Sequence, residues 1–464
     1  MPISRRTVLA AALSATYAAP LRALPPRVFT PEEFGAKGDG VTDDSIAMNR
    51  LASAVSLYGG GTVDFRRTTY RVGRQGLRLT GGYMFPPQDL LVFKGCRFAL
   101  TLNGNGARLC CAPGLRYGAF DGDGERADHP MPYLGPGLAT PYFAMIHVED
   151  CSGPVLIADF DLEGPGDALK LGGRYGDTGW QIPATGLVLR NNRGGETVVR
   201  VATHGHPQDG LLIDGLDADT PGVTRTIRNV VARRNGRQGC SIVGGRGYRF
   251  AQCSFLETGR GIVRSAPGAG VDIEAEAGKR IRNLAFTQCR FADNDGCGLV
   301  ADTGDSEDVR FDQCTFVGTT SWSAWPNKPH VRFAQCTFVG ALTRAWGDAD
   351  TSRAAQFSEC TFTDDPARSP TGRVYGGTNQ DRPLADLSDA RNVVFARCTF
   401  TAIRGVLPWS TGAIYRDCTM TQGMTTFGFP RGRFEGANTI RGRVDLYGST
   451  ITGILLVNGK RVGG

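Results

Sequence analysis

The sequence predicts an all-β solenoid, a chain of many short strands in which each coil packs on the coils before and after it. One short phrase that begins with glycine returns in the same register at intervals of roughly thirty residues, the length of one solenoid coil. A second pattern, Phe-x-x-Cys-x-Phe, also recurs along the chain. The 464 residues include 64 glycines, about twice the ordinary share. Glycine-rich turns that close many short strands explain this composition better than helices do.

The first segment has the features of an export signal. Arg5 and Arg6 precede the apolar residues 10–13, and small residues suited to cleavage follow. The arginine pair resembles the twin-arginine signal of bacteria, which exports folded proteins; an ordinary secretory signal is the alternative. We expect residues 1–24 to be a signal peptide and the mature protein to be periplasmic or extracellular. No other segment approaches the ~18 apolar residues of a membrane helix, so we expect no membrane insertion.

One helix is predicted near the start of the mature chain. Thr42 or Asp43 can cap its N-terminus. Apolar residues at helical spacing lie on one face, namely Ala47, Leu51, Ala54, Val55 and Tyr58. Such a helix covers the apolar end of a solenoid and prevents pairing with another chain. We therefore assign Asp43 and Asp44 to helix capping rather than to catalysis.

The N-terminal segment resembles that of the pectate-lyase-like superfamily, which includes polygalacturonases and phage tailspikes. Residues 34–45 read Phe-Gly-Ala-Lys-Gly-Asp-Gly-Val-Thr-Asp-Asp-Ser, residues 59–65 read Gly-Gly-Gly-Thr-Val-Asp-Phe, and Tyr-Arg-Val follows at 70–72. The resemblance implies a single-stranded right-handed parallel β-helix with an N-terminal capping α-helix. We expect residues 28–464 to form one such domain, since no clear boundary interrupts the repeats.

The cysteines are expected to form a ladder of free thiols inside the solenoid. Of the 13 cysteines, eight occupy one position of the aromatic repeat, namely Cys96, Cys253, Cys289, Cys314, Cys336, Cys360, Cys398 and, in the variant Tyr-x-x-Cys-x-Met, Cys418. A buried free cysteine behaves as a small hydrophobe. Disulfides are common in exported proteins, but this placement argues against them. Metal binding is a further alternative, although Cys-x-x-Cys pairs are absent.

The glycine phrase predicts a line of carboxylates on one sheet. The four segments are aligned on Gly210, Gly239, Gly270 and Gly298. Residues one and three places after each glycine are expected to face the core, and those two and four places after it the opposite side. In chain order, the second place holds Leu, Ser, Asp and Val, and the fourth holds Asp, Val, Glu and Asp. Asp272 and Glu274 lie on one strand, so their carboxyl groups are expected to stand roughly 7 Å apart on one exposed face. Asp214 and Asp302 are expected in the column of Glu274.

Neighbouring carboxylates can supply an acid and a base from one residue type, because each raises the pKa of the other. Glycosidic bond cleavage needs such a pair, and ~7 Å lies between the two known carboxylate separations. We therefore predict Asp272, Glu274 and Asp214 to be catalytic, with Asp302 binding substrate. The alternative is that these acids keep the surface soluble or pair with Arg237, Arg264 and Lys279.

The segments before the aligned strands supply further candidates. His206 is a suitable general acid or base near neutral pH; an exposed loop histidine without function is the alternative. His204 and Asp209 from the same loop are predicted to bind substrate. Arg237 and Gln238 occupy the equivalent place before the next strand, where arginine could fix a sugar carboxylate.

Residues 168–181 are predicted to add a second rim to this groove. The alignment places Lys170 on the exposed face, in the column of Leu212, Ser241 and Asp272. The following glycine-rich loop contains residues suited to binding a sugar ring, namely Arg174, Tyr175 and Trp180. Buried aromatic packing is the alternative for the two aromatic residues.

These observations predict an exported enzyme that hydrolyses a polysaccharide. Polygalacturonase motifs have no full counterpart here: residues 204–206 read His-Gly-His rather than Gly-His-Gly, and Arg-Ile-Lys is missing, so their catalytic roles cannot be transferred. A polysaccharide lyase acting on a uronate polymer is the first alternative, with His206 or Lys170 as base, and a non-enzymatic glycan-binding solenoid is the second. No cofactor is required, although a lyase could use Ca²⁺. The formal charge of +7 is mild. Nucleic-acid binding usually needs a concentrated basic face, which the sequence lacks, so we expect no nucleic-acid partner.

Overall fold

Parallel strand pairing organises the whole chain. The structure, a computed structural model, describes residues 27–76, 90–127, 138–173, 182–376, 383–387 and 390–463. Strands of successive coils pair in parallel from Val28–Phe29 near the start to Ile454–Val457 near the end, and Lys460–Arg461 adds one antiparallel strand. The predicted all-β parallel β-helix is confirmed. The predicted signal peptide, residues 1–24, lies outside the described residues, and the single domain at 28–464 stays a prediction.

Each complete coil contributes strands to three sheet faces. Sheet one contains Leu91–Lys94, Ala144–Glu149, Thr185–Arg190, Asp209–Asp214, Gln238–Arg246, Ala269–Ile273, Leu299–Ala301, Ala324–Pro326, Leu342–Thr343 and Ala385–Asp386. Every neighbouring pair in this series is parallel. The repeated glycine phrase of the sequence lies in its middle four coils.

Sheet two lies next along each coil. It contains Val28–Phe29, Gly61–Asp64, Leu100–Cys111, Val155–Glu163, Glu196–His204, Arg225–Arg228, Tyr248–Ala251, Arg280–Thr287, Asp305–Asp312, Val331–Ala334, Gln356–Ser358, Val394–Ala396, Trp409–Arg416, Arg431–Glu435 and Thr450–Ile451. Three of these strands, Leu100–Cys111, Val155–Glu163 and Glu196–His204, continue into sheet three.

Sheet three completes the coil. It adds Asp39–Asp43, Thr69–Val72, Val231–Arg233, Ser254–Leu256, Arg290–Ala292, Thr315–Val317, Thr337–Val339, Thr361–Thr363, Thr399–Ala402, Thr419–Gln422, Ala437–Arg441, Ile454–Val457 and Lys460–Arg461. Outside the coils, Arg116–Ala119, Leu138–Ala139 and Lys170–Leu171 form a small separate sheet. Short 3₁₀ turns occupy Pro31–Phe34, Gly166–Ala168 and Pro366–Arg368.

The capping helix is confirmed at Ser45–Tyr58. Its buried face includes Ala47, Leu51 and Val55, as the spacing predicts. Capping differs in detail from the prediction. Asp43 accepts the Ser45 amide hydrogen bond at 3.0 Å, whereas the Asp44 carboxylate accepts the amides of Lys37 and Gly38 and so ties the preceding loop to the helix start. In the described part of the chain, no helix combines the length and apolar character of a membrane-spanning one.

Stacked aromatic rings fill the core of the later coils. The first phenylalanine of the repeat forms one column, in which Phe311, Phe333 and Phe357 stack at centroid distances of 4.8 Å. The second phenylalanine forms another column, with Phe316 and Phe338 at 5.0 Å. Rings of the two columns meet edge to face. The repeat therefore sets the register, because a slip by one residue would turn the rings away from the core.

The thirteen cysteines are free, and all except the half-buried Cys110 are buried. The predicted core ladder is confirmed for seven of them, from Cys253 to Cys418, which follow the aligned phenylalanines. Cys96 is the exception. Its repeat begins at Phe93 on sheet one, not on sheet two, and Cys96 lies beside Cys151 instead of in the ladder. The spacing matched there although the position within the coil differs.

This burial predicts a clear pattern of thiol reactivity. In the native protein we expect a thiol reagent such as dithionitrobenzoate to modify at most about one cysteine, Cys110, because reaction requires an accessible thiolate. That modification should be slow, since burial raises the pKa of the Cys110 thiol to about 11. Unfolding in guanidinium should release all thirteen thiols. Addition of a reductant should leave the midpoint of unfolding unchanged. Fewer than thirteen reactive thiols after unfolding without reductant would instead reveal disulfides.

Candidate functional site

The register of the repeated phrase is largely as predicted on sheet one. Leu211, Cys240, Val271 and Leu299 align on the core side. On the opposite face, which we call the outer face, Leu212 aligns with Ser241, Ser241 with Asp272, and Asp272 with Val300. Trp325 continues this column on the following coil.

Asp272 is buried on this outer face rather than exposed, which corrects the expectation of an open carboxylate ladder. Its residue surface is 3% exposed. The Gln238 side-chain amide donates a hydrogen bond to Asp272 Oδ2 at 2.6 Å, and Asp272 Oδ1 has no hydrogen-bond partner. Burial, and after it the charge of Glu274, raise the pKa of Asp272 to about 8 although the charge of Arg237 opposes both effects. At neutral pH this carboxyl group therefore carries a proton.

Asp209 and Arg237 extend the buried cluster toward the preceding coil. Asp209 is 1% exposed, and Arg237 Nε lies 3.9 Å from its Oδ1. Burial raises the pKa of Asp209 to about 6, which the Arg237 charge and the Gln238 backbone amide partly offset. Gln238 itself is fully buried, and its Oε1 has no hydrogen-bond partner. Buried polar atoms without partners are rare and often mark a functional site.

Glu274, Asp302 and Lys328 form a charged rim beside Asp272. Glu274 follows the last residue of its strand and is exposed. Burial and the Glu274 charge raise the pKa of Asp302. Lys328 is 9% exposed and donates to the Gly304 carbonyl at 2.7 Å. Burial lowers the pKa of the Lys328 amine, although the nearby carboxylates, Asp302 first, favour its charge.

Two tryptophans lie on the same face, next to the acidic cluster. Trp322 and Trp325 are partly buried and pack on Ala269, Cys297 and Val300. Trp325 aligns with Val300, which in turn aligns with Asp272, so the indole lies two coils from the carboxyl group, roughly 9 to 10 Å at the usual strand spacing. Both indoles keep part of their surface accessible, although the Arg344 guanidinium lies 5.2 Å from the Trp325 ring centroid. Accessible indole surface suits the apolar face of a sugar ring.

Asp214 does not belong to this cluster, and its predicted column is wrong. The register shifts after Ile213, so that Asp214 pairs with Gly244 instead of Val243. Its carboxylate binds Lys279 Nζ at 2.7 Å and Arg190 Nε at 3.0 Å. The pairing with Lys279 is the structural alternative that the sequence left open.

Lys170 also lies elsewhere. It belongs to the small separate sheet, where it aligns with Arg116, and Val188 occupies the position in the column beside Leu212 that the alignment gave to Lys170. The insertion between the coils shifted the alignment by one strand. The other residues predicted for this rim, Arg174, Tyr175 and Trp180, lie outside the described residues.

His206 is enclosed within the protein. Tyr142 Oη lies 2.6 Å from its Nδ1, and its Nε2 lies 3.0 Å from the Leu162 carbonyl. Because a carbonyl can only accept, Nε2 carries the hydrogen and Nδ1 accepts from the tyrosine. Burial lowers the pKa of His206 to about 3. A Cβ at Gly186 would come within 2.7 Å of this ring. The expected exposed loop position is wrong, and the ring holds neighbouring coils together.

His204 faces a different part of the surface. Its Nε2 lies 2.8 Å from Asp161 Oδ1 at the end of the strand Glu196–His204. It lines a cavity of about 650 Å³ with Glu163, Arg233 and Arg234. Of the loop residues predicted before the aligned strands, only Asp209, Arg237 and Gln238 therefore meet Asp272.

Lys328, Trp322 and Trp325 were missed by the sequence analysis. The two tryptophans are among five in the chain, and the segment 322–328 follows one coil after the last aligned phrase. Extending the alignment by one coil would have found them. Among the described residues, no group of three or more His, Cys, Asp or Glu side chains is placed to hold a metal ion.

Known structures resemble this chain in fold at low sequence identity. No protein-family model matches the chain. The A-module of mannuronan C-5 epimerase AlgE6 from Azotobacter vinelandii superposes with a TM-score of 0.55 at 14% identity, covering 92% of this chain and 99% of the module. The tailspike protein gp49 of Acinetobacter baumannii bacteriophage Fri1, a capsular polysaccharide depolymerase, gives a TM-score of 0.43 at 13% identity over 90% of this chain and 63% of that protein.

One sequence relative matches over a short segment. Depolymerase 1, capsule KN3-specific, from Klebsiella phage KN3-1 is 52% identical over 46 residues, which are 10% of this chain and 6% of the depolymerase. The chain thus matches only a small part of that relative's length. Together with the pairing of the coils, the structural likeness confirms the expected fold. The chain has the parallel β-helix fold that its sequence predicts.

Proposed function

We propose that this protein cleaves a polysaccharide by hydrolysis in the groove on the outer face of sheet one. Asp272 is the general acid that protonates the glycosidic oxygen, and Glu274, with Asp302 beside it, is the base that activates water. Arg237 and Gln238 hold the acid, and Trp322 and Trp325 bind a sugar ring. As predicted from the sequence, we also propose that the protein acts after export, outside the cytoplasm.

The state of Asp272 is the observation that carries this proposal. Gln238 donates to one carboxyl oxygen, whereas the other, Oδ1, is buried without a partner. Hydrogen bonding of Oδ2 as an acceptor leaves Oδ1 to carry the proton. A buried acid that stays protonated near neutral pH, beside a second carboxylate that is exposed to water, is the pairing that glycosidic hydrolysis uses. The depolymerase relative supports a polysaccharide substrate.

β-Elimination from a uronate polymer is the second candidate, and Lys328 favours it. Burial lowers the pKa of this amine, and a neutral amine can remove the proton beside a sugar carboxylate. Arg237 would neutralise that carboxylate, and Asp272 would protonate the leaving oxygen. A glycan-binding protein without catalysis is the remaining alternative, in which the acidic cluster would be incidental.

One assay separates these functions. The purified protein is incubated with uronate and neutral polysaccharides, while reducing ends and the ultraviolet absorbance of unsaturated products are measured together. We expect reducing ends without absorbance. Both signals together would establish elimination, and neither signal with any polymer would leave only binding.

Replacement of Lys328 with Met gives a second test of the reaction class. Hydrolysis should retain at least about a tenth of the wild-type rate, because Lys328 would then only bind substrate. Elimination with Lys328 as base should slow by more than about 100-fold. Lys94→Met is the matched control, since Lys94 is an exposed lysine that pairs with Glu149 on another coil.

The pH dependence follows from the direction of the Asp272 shift. The acid is active when protonated, so kcat/KM should be lost as the pH rises through about 8, the pKa of this group in the free protein. The rate should be measured from pH 5 to pH 10 with circular dichroism as a check on folding. A decline centred near pH 5 would assign the acid to a carboxyl group with an ordinary pKa.

A further inference from the structure

Sheet two carries a second groove on its outer face, on a different side of the coil from Asp272. A cavity of about 410 Å³ lies over five neighbouring strands, and its lining includes Arg310, Asp312, Arg332, Gln356 and Arg416. We call it the arginine groove. Its volume is within the range of pockets that hold small ligands.

Two arginines lie side by side, in register on neighbouring strands, at one end of this groove. Arg310 aligns directly with Arg332 on the next coil, and both are exposed. Neighbouring strands lie about 4.8 Å apart, so the two side chains leave the sheet side by side. Neither guanidinium forms an ion pair with another described residue, not even Asp312, two residues after Arg310. Like charges in directly opposite positions are destabilising.

Two other arginines on the same sheet are matched with acids on the neighbouring coil. Arg282 aligns with Glu307 and lies 3.1 Å from it, and Arg416 aligns with Glu435 at 2.6 Å. Arg228 and Arg249 have no acid opposite, but each aligns with neutral residues and not with a second arginine. Arg310 and Arg332 lie side by side and have no ion-pair partner in the described part of the chain, so an external anion can bind both.

The floor of the groove is made of small side chains. Ala334, Ser358 and Ala396 align on three successive coils, between the longer side chains of Asp312 and Arg416. This row forms a trough that runs along the axis of the coils. Methyl groups suit the apolar face of a sugar ring, and Gln356 and Asp312 at the walls suit its hydroxyl groups.

We propose that the arginine groove is a noncatalytic binding site for a carboxylated sugar chain, with Arg310 and Arg332 binding one carboxylate. Paired guanidinium groups bind carboxylates through charge-assisted hydrogen bonds. The inference rests on the proposed function only in expecting a polysaccharide ligand, and it adds that this ligand is acidic. A polymer held on sheet two remains close to the cleavage groove on sheet one, which raises its effective concentration there.

Affinity electrophoresis of the full chain tests this site. Native gels contain polygalacturonate, alginate or the neutral polymer dextran, and the Asp272→Asn variant is used throughout to prevent cleavage. The double variant R310Q/R332Q is compared with R228Q/R290Q, which removes the same charge from two exposed arginines that form no ion pair. We expect retardation by at least one acidic polymer, an apparent affinity about 10-fold lower in R310Q/R332Q, and no change in the control. Dextran should not retard either protein.

The outcomes separate this site from simpler explanations and from the proposed function. Equal losses in both double variants would reduce the effect to net charge and overturn the proposal, as would retardation that R310Q/R332Q leaves unchanged, or none with either acidic polymer. If inorganic phosphate displaced the acidic polymer at the same concentration as a free sugar carboxylate does, the groove would be a simple anion site. That result would also overturn the proposal. With the native Asp272, R310Q/R332Q should cleave short oligosaccharides at the normal rate. Binding without any cleavage would sink the proposed function alone.

Discussion

Replacement of Asp272 with Asn is expected to lower the rate of polymer cleavage by about 100- to 10,000-fold, the usual contribution of a general acid. The asparagine side chain has the same shape, and its oxygen can still accept the hydrogen bond from Gln238. It cannot give up a proton to the glycosidic oxygen. The loss should appear in kcat, because the groove and its tryptophans remain in place to bind substrate.

Two measurements distinguish this effect from a folding defect. The thermal midpoint of Asp272→Asn should be at least that of the wild type, since the buried carboxyl group is already uncharged near neutral pH and its replacement introduces no charge. Asp308→Asn is the matched control on sheet two, where Asp308 is exposed at a positive φ of 60° that asparagine also adopts readily.

Glu274 allows a second version of the same test. Glu274→Gln should also abolish most cleavage if this carboxylate activates water. In the residual activity, the pH at which kcat/KM falls should decrease only slightly, because burial is a larger cause of the raised Asp272 pKa than the Glu274 charge. Full activity in a variant that carries both Asp272→Asn and Glu274→Gln would remove the site from the face of sheet one.

The sequence predicted the coils well because their register depends on local, repeated chemistry. Each Phe-x-x-Cys-x-Phe phrase places two rings and one thiol inside the coil, and in-register stacking repeats this placement from Phe250 to Phe400. The phrase at Phe93 shows the limit of this reasoning. Two residues separate its phenylalanine from its cysteine, as elsewhere, yet its strand belongs to sheet one. The spacing of the phrase alone does not predict on which of the three sheets it lies.

The site was harder to predict because burial depends on segments that are distant in sequence. Asp272 alternates with core residues and was therefore expected on an exposed face, yet it is 3% exposed. The same limit applies to His206, whose ring meets Tyr142, 64 residues earlier in the chain. Asp214 shows a different cause. A one-residue register shift after Ile213 moved it out of the expected column, and a glycine-aligned phrase contains no sign of such a bulge.

Replacement of Phe333 with Ala is expected to lower the free energy of unfolding by about 3–5 kcal/mol, the usual cost of removing a buried aromatic ring. Phe333 is 1% exposed and stacks at 4.8 Å on both Phe311 and Phe357. It also meets Phe338 edge to face at 5.3 Å. Its loss opens a cavity that the neighbouring rings cannot close, because each is held by its own coil.

Position along the stack should change this cost. Phe434 is fully buried but stacks on Tyr415 at 5.2 Å on one side and faces Ile451 on the other. Among the described residues Phe333 contacts four aromatic rings and Phe434 one, so Phe434→Ala should cost less. Arg290→Ala, an exposed change on sheet three, should remain within about 0.5 kcal/mol of the wild type. Guanidinium unfolding followed by circular dichroism compares the three variants.

Because each coil of a solenoid is stabilised mainly by its neighbours, Phe333→Ala should also broaden the transition or split it in two. A single sharp transition at the midpoint of Arg290→Ala would show that the ring stack does not hold the coils together.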